Sequence, residues 1–345
     1  KTLVFRGVHA RNLQIDEITV PLQRFTVVTG VSGSGKSTFC REVLFANLSR
    51  RLKDAQAPLV GTDQLTGFEN VGRVLEVDQT PIGKNSRSCP ATYVGIMTAI
   101  RDLYAATNEA QARGYDASRF SFNKAVGACP VCAGQGLRTV EMNFLPDVKV
   151  LCEACAGKRF NPETLEVLWR GKSIGDVLEM EIDEAVDFFA SMPSIAYPLK
   201  LMQDVGLGYL TLGQPSPTLS GGEAQRLKLV TELAKVRTDG SFAARAPHTL
   251  YVLDEPTVGL HMTDVDRLSK VLSRLVDAGS TVVVIEHNLD IAADADWIID
   301  LGPEGGAKGG KVVAQGSPKM IARKNTATGI VLKAFLAEHK PVKSA

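Results

Sequence analysis

The sequence predicts an α/β fold built on a mostly parallel sheet and interrupted by an insertion of different character. Three observations predict it. A glycine-rich loop joins an apolar strand to a helix near residue 30, strand–helix alternation returns after Leu219, and a cysteine-rich segment without clean periodicity lies between. Strands alternating with helices bury a parallel sheet under helical layers. A chain of 345 residues accommodates two domains, or one large domain carrying an insertion.

In chain order, Leu3 to Val28 reads as short strands, with Leu13, Ile15, Ile18 and Val20 spaced by twos and threes before Phe25-Thr26-Val27-Val28. A helix follows from Ser37 to Leu52, its Phe39, Val43, Leu44 and Leu48 at helical spacing. Val74 to Val77 is a strand leading into Asp78-Gln79. From Pro90 to Leu201 helical pieces flank the Gly- and Cys-rich segment 127–160. A helix then starts at Glu223, followed by strand Leu250–Leu253, helix Asp264–Asp277 and strand Thr281–Ile285. A hairpin around Gly309 to Val313 precedes a terminal helical piece and a polar tail. This gives a core in two parts, 1–89 and 206–345, around an insertion at 90–205.

Net charge is +1, so any nucleic-acid contact must come from a local patch and not from a global basic field. No apolar run reaches the roughly 18 residues that span a bilayer, and no signal peptide opens the sequence. These features point to a cytoplasmic protein without a membrane partner. Lys1 stands where a methionine would open a gene product, which leads us to expect a piece of a longer polypeptide.

Gly30-Val31-Ser32-Gly33-Ser34-Gly35-Lys36-Ser37, followed by Thr38, fits the P-loop pattern between strand and helix. Glycines let backbone N–H groups turn toward phosphate oxygens, and the helix N-terminus adds its dipole. Lys36 supplies charge to the β- and γ-phosphates of ATP, and Ser37 a hydroxyl to Mg²⁺. About 220 residues later the apolar strand Leu250–Leu253 ends in Asp254-Glu255. Asp254 is placed to hold the Mg²⁺ shell and Glu255 to polarise the attacking water. Ser220, Gly221 and Gly222 open a helix with a second set of exposed N–H groups, a second anion-binding device. One P-loop has no use for a second cradle unless that cradle faces another module's ATP.

Cys129-Pro130-Val131-Cys132 and Cys152-Glu153-Ala154-Cys155 are separated by nineteen residues, in the range of a four-thiolate zinc site. Gly134, Gly136 and Gly157 supply tight turns, and Arg138 to Val150 could form a hairpin between the two halves. The metal reads as structural, contributing roughly 10–16 kcal/mol of apparent folding free energy. Of the remaining cysteines, Cys40 is expected in the core and Cys89 at the surface. Between Val71 and Phe160, eleven Lys/Arg face eight Asp/Glu, a mild basic bias. Arg73, Lys84 and Arg87 bracket Gln79, and Arg101, Arg119 and Lys124 are further candidates for DNA phosphates. Tyr93, Phe120 and Phe122 interleave with them.

The order of these motifs resembles the ATP-binding cassette proteins. The resemblance implies that Gln79 is their Q-loop glutamine, near Mg²⁺, that His287 is their switch histidine, and that two cassettes sandwich two ATPs. Longer stretches look like the UvrA family of bacterial nucleotide excision repair. Among them are Asp78-Gln79-Thr80-Pro81-Ile82-Gly83, Arg119-Phe120-Ser121-Phe122-Asn123, Glu141 to Val148, Glu286 to Asp290 and Ile299 to Gly306. The resemblance covers nearly the whole chain and points to that family's second cassette, with its inserted signature domain and zinc module. It implies an ATPase that recognises distorted duplex DNA, a second cassette as partner, and UvrB as a further one. It also implies that Arg73 and Lys84 are the basic positions that matter for DNA. Val258, Cys89 and a longer segment from Arg237 to His248 depart from the usual pattern and allow a divergent paralogue linked to tolerance of DNA-acting drugs. A transporter ATPase would share the nucleotide motifs without zinc. A chromosome-maintenance ATPase would need heptads that 90–205 lacks, and Cys-x-x-Cys-x-Gly-x-Gly at 129–136 also fits a chaperone-type peptide-binding module.

Overall fold

The computed structural model describes residues 1–83, 85–140, 142, 148–235 and 248–338. It contains two compact units: Lys1–Asp78 with Lys235–Ala345, and Gln79–Ala234.

The first unit is built on a six-stranded sheet. Its strands run Lys311–Gly316, Trp297–Gly302, Phe25–Gly30, Thr281–Ile285, Thr249–Asp254 and Arg73–Val77 from edge to edge. All neighbours are parallel except the first pair. Phe25–Gly30 and Thr281–Ile285 are buried along almost their whole length, as strands covered on both faces must be. A second, three-stranded antiparallel sheet places Thr2–Val8 between Ile15–Pro21 and Thr62–Thr66. Leu3, Phe5, Ile18 and Val20 from that sheet share one core with Phe39, Val43, Leu44 and Leu48. The Phe5 and Phe39 rings meet edge to face, 5.9 Å apart.

The predicted helix from Ser37 begins with widened π-type turns over Thr38–Phe45 and becomes α-helical over Ala46–Arg51. The strand predicted at Thr281–Ile285 has the observed bounds, and the one at Leu250–Leu253 is a residue longer at each end. Two strands of this first unit were not anticipated. Thr62–Thr66 has only two buried positions, Thr62 and Leu65, too few to set a period. Trp297–Gly302 is broken in sequence by Asp300, which is buried because Thr29 and Thr328 both donate to its Oδ1, at 3.1 and 2.7 Å. Trp297–Gly302 is also the antiparallel partner of Lys311–Gly316, so the hairpin expected around Gly309–Val313 has its arms further apart.

The second unit is mainly helical. Its longer helices are Ile96–Ala105, Pro193–Asp204 and Gly221–Leu233, and its two small antiparallel ribbons pair Leu137–Val140 with Val148–Leu151, and Leu168–Trp169 with Lys172–Ser173. The first ribbon supplies the arms of the hairpin expected between the cysteine pairs. Aromatic packing organises the interior: Tyr104 lies against Phe120, and Phe122 against Phe160. Phe120 and Phe122, which interleave with the basic residues in sequence, are therefore core residues. Cys89 is likewise buried and not at the surface. Its backbone N–H donates to Thr92 Oγ1 at 2.9 Å at the start of the short helix Pro90–Tyr93, which draws the thiol inward. Among the described residues, no helix is long and apolar enough to cross a membrane.

Phe39 is fully buried at the meeting of both sheets. Phe39→Ala should cost about 3–5 kcal/mol, read as a lower urea midpoint for the transition of the first unit. A midpoint unchanged from wild type would show that this helix does not anchor the core.

Candidate nucleotide site and cysteine cluster

Three loops of the first unit leave the carboxyl edge of the parallel sheet, where open α/β sheets bind their ligands. The P-loop follows Phe25–Gly30, Asp254-Glu255 ends Thr249–Asp254, and Glu286-His287 follows the strand between them. Gly30 has φ +133, and a Cβ there would lie 2.0 Å from the Leu301 carbonyl oxygen. Gly35 has φ +99, and its Cβ would meet Leu13 Cδ2 at 2.5 Å. Only glycine fits either position. Lys36 Nζ donates to the carbonyls of Gly30 and Val31 at 2.9 and 3.0 Å. Burial lowers the Lys36 pKa, against the pull of Glu255 and Asp254. Burial raises that of Asp254, opposed by Arg41. Ser37 and Ser32 are exposed, whereas Ser34 is buried with no hydrogen-bond partner for its Oγ. A turn of this shape, with a cation, an orphaned hydroxyl and a carboxylate nearby, fits Mg²⁺–ATP.

Glu255 has φ +43, and its N–H donates to the Ile285 carbonyl at 2.9 Å. His287 Nε2 lies 3.6 Å from Glu255 Oε1, so the carboxylate expected to polarise water and the expected switch histidine are neighbours. Glu286 holds them. Its buried carboxylate accepts from the N–H and Oγ1 of Thr257 at 2.9 and 2.6 Å, and from the N–H groups of His287 and Asn288 at 2.9 and 3.2 Å. Sequence reasoning missed Glu286 as an organiser, and missed Asn12, whose Nδ2 donates to the carbonyls of Gly33 and Gly306 at 3.1 Å each. It also missed Arg41, which pairs with Asp254 and Glu76. A basic residue four positions after Ser37 on the P-loop helix was the available signal for Arg41.

In the second unit, Ser220 caps helix Gly221–Leu233. Its Oγ accepts from Glu223 N–H at 3.3 Å, while Ser220 N–H donates to Glu223 Oε2 at 2.7 Å. Gln79 packs on the start of this helix: a Cβ on Gly221 would lie 3.0 Å from Gln79 Cβ. Lys228 of the same helix donates to Thr80 O and Oγ1, both at 2.8 Å. The exposed Ser220, with Gly221 and Gly222 partly exposed, leaves this helix start open to an anion.

The four cysteine sulfurs lie within 4.8 Å of one another, and all four residues are buried. Cys129 and Cys152 Sγ are 4.0 Å apart, and Cys132 and Cys155 Sγ 3.7 Å. A tetrahedron with metal–sulfur bonds of about 2.3 Å has edges of about 3.8 Å, so the donors fit zinc. Ala133, Gly134, Ala156 and Gly157, just after each pair, have positive φ and fold the chain back around the sulfurs. Arg159 ties the cluster to its surroundings. It donates to the carbonyls of Ser86 and Gly213 at 2.7 Å each, and its guanidinium lies 5.1 Å from the Phe122 ring centroid.

The basic candidates have separate surroundings. Arg87 donates to Ala133 O at 2.9 Å, beside the cysteines. Arg119 donates to Thr164 Oγ1 at 2.9 Å and lies over the Tyr115 ring at 4.4 Å. Arg101 donates to Thr98 Oγ1 at 3.0 Å. Lys124 is exposed, and Arg73 is partly buried on the edge strand of the large sheet. Lys84 lies outside the described residues, as does most of the segment Arg237 to His248.

The parallel core, the added antiparallel sheet and the P-loop make this an ATP-binding cassette fold of the α/β class. Within that class the chain belongs to the UvrA family. It is 56% identical over 337 residues to UvrABC system protein A of Thermus thermophilus, covering 98% of this chain and 34% of that one. It is 52% identical over 326 residues to the Aquifex aeolicus protein of the same name, covering 94% and 34%. For that of Staphylococcus aureus strain COL the identity is 50% over 341 residues, covering 99% and 35%. The chain thus spans about a third of the length of these curated relatives. The crystal structure of UvrA2 from Deinococcus radiodurans superposes with a TM-score of 0.83 at 46% identity, covering 96% of this chain and 39% of that one. No family model matches the chain.

One tetrahedral zinc per chain is expected by elemental analysis of protein purified without chelator. Cys152→Ser should remove it and make 127–160 sensitive to protease while the first unit stays folded. A zinc-free wild-type protein would refute the assignment.

Proposed function

We propose that the chain is the ATPase cassette of a nucleotide excision repair protein that couples ATP to the recognition of distorted duplex DNA. The observation that carries the ATPase reading is the gathering of the P-loop, Asp254, Glu255 and His287 at the carboxyl edge of one parallel sheet. Gly30 to Thr38 cradle the phosphates, with Lys36 as their cation. Ser37 and Asp254 hold the Mg²⁺ shell, and the cassette resemblance gives Gln79 as the Q-loop glutamine. Mg²⁺ supplies the charge that stabilises phosphoryl transfer. Glu255 polarises the attacking water, and His287 steadies it. The helix-rich unit serves as the signature domain, with zinc as its structural staple. Its Ser220, Gly221 and Gly222 face the ATP of a second cassette, from the same polypeptide or from another copy.

Family membership supports the DNA reading, with Arg73 and Lys84 as phosphate contacts and Lys124 as an exposed cation of the helical unit. On the same membership we propose UvrB as a partner and a cytoplasmic setting. The divergent-paralogue alternative is not favoured, because relatives at 50–56% identity carry the name UvrABC system protein A. A transporter subunit accounts for neither the cysteine cluster nor that kinship.

Two experiments test this reading. Glu255→Gln should bind Mg²⁺–ATP yet lose turnover, by about 10²-fold or more, whereas Lys36→Ala should weaken nucleotide binding itself. Wild-type turnover in the Glu255 variant would overturn the assignment. Arg73→Ala and Lys84→Ala should each weaken binding to all duplexes alike and lower the salt slope by about one unit. Salt-titrated binding measures this, and unchanged affinity and slope in both variants would remove these residues from the DNA contact.

A further inference from the structure

Arg41 stands among the nucleotide-site carboxylates without belonging to any motif for phosphate. Its Nε is 2.7 Å from Glu76 Oε1, and its Nη2 is 3.1 Å from Asp254 Oδ2. Glu76 and Asp254 lie on the adjacent parallel strands Arg73–Val77 and Thr249–Asp254, where Glu76 pairs with Val252. The guanidinium therefore bridges two strand ends from the P-loop helix. Both carboxylates are largely shielded, with side-chain exposures of 23% and 20%, so the attraction is screened less than on an open surface.

We propose that Arg41 competes with Mg²⁺ for the Asp254 carboxylate and so sets the Mg²⁺ concentration at which the P-loop takes nucleotide. The inference rests on the nucleotide reading above and adds a regulator to it. Two cations cannot use one carboxylate oxygen at full strength, because each reduces the negative charge the other meets. Glu76 gives Arg41 an alternative partner 2.7 Å away, so the guanidinium can yield Asp254 without losing all compensation. The geometry assigns Glu76 as the residue that decides how firmly Arg41 holds Asp254. Removing Arg41 and removing Glu76 should thus act in opposite directions, although each deletes an ion pair.

The test is binding of a fluorescent N-methylanthraniloyl ATP to the 345-residue chain, titrated with Mg²⁺. Arg41→Ala should lower the half-saturating Mg²⁺ about three- to fivefold. Glu76→Gln should raise it, because Arg41 then has Asp254 as its remaining partner of the two. Both variants should melt at a slightly lower temperature without Mg²⁺ and nucleotide, which confirms that each loses an ion pair of a folded protein. Half-saturation unchanged in Arg41→Ala, or shifted in the same direction by both variants, overturns the inference and leaves the nucleotide reading standing. Failure of the wild-type chain to bind the analogue at any Mg²⁺ concentration overturns both.

Discussion

The carbonyl of Leu301 presses so closely on Gly30 that a Cβ there would lie 2.0 Å away, and the phosphate loop takes its direction from that contact. The loop must turn where the neighbouring strand Trp297–Gly302 ends. That strand is fixed in turn by Asp300, which accepts from Thr29 on one side and Thr328 on the other. Gly306 N–H then donates to Gly33 O at 3.0 Å, and the Asn12 amide joins Gly33 to Gly306. The cradle is thus gripped by the Leu301 and Gly306 backbone and by the Asn12 amide, a form of preorganisation that leaves little ordering to be done on binding.

The hydrolytic side has a comparable organiser. A single carboxylate, that of Glu286, gathers donors from the loop after Asp254 and from the loop carrying His287. With four charge-assisted hydrogen bonds, it makes the positions of Glu255 and His287 interdependent. The left-handed backbone at Glu255 is one mark of that constraint.

These two layers explain what could be read from the sequence. Residues whose type is dictated by chemistry stood out in the sequence, and the structure gathers them: Lys36, Asp254 and Glu255 near one sheet edge, and the paired cysteines with their sulfurs within 4.8 Å of one another. Strands buried on both faces, such as Thr281–Ile285, were legible because nothing interrupts their apolar run. Asn12, Arg41 and the hold of Glu286 on Thr257 were not, since those partners lie 21 to 294 residues away. The burial of Phe120 and Phe122 was not legible, because aromatics among basic residues look the same in sequence whether they face solvent or pack on Tyr104 and Phe160. Cys89 misled in the same way: its burial follows from the cap it makes with Thr92, a contact with no sequence period.

The insertion of one unit within the other also orders events in time. Phe25–Gly30 and Arg73–Val77 find all their parallel neighbours among strands that begin at Thr249 or later. During synthesis at 5–20 residues per second, the roughly 170 residues between Val77 and Thr249 delay that pairing by about ten to thirty seconds. Over that interval the antiparallel sheet of Thr2–Val8, Ile15–Pro21 and Thr62–Thr66 can close on itself, and the helical unit can fold whole. The P-loop strand meanwhile waits with both edges bare, so the nascent chain is most open to misassociation just before its last strands emerge.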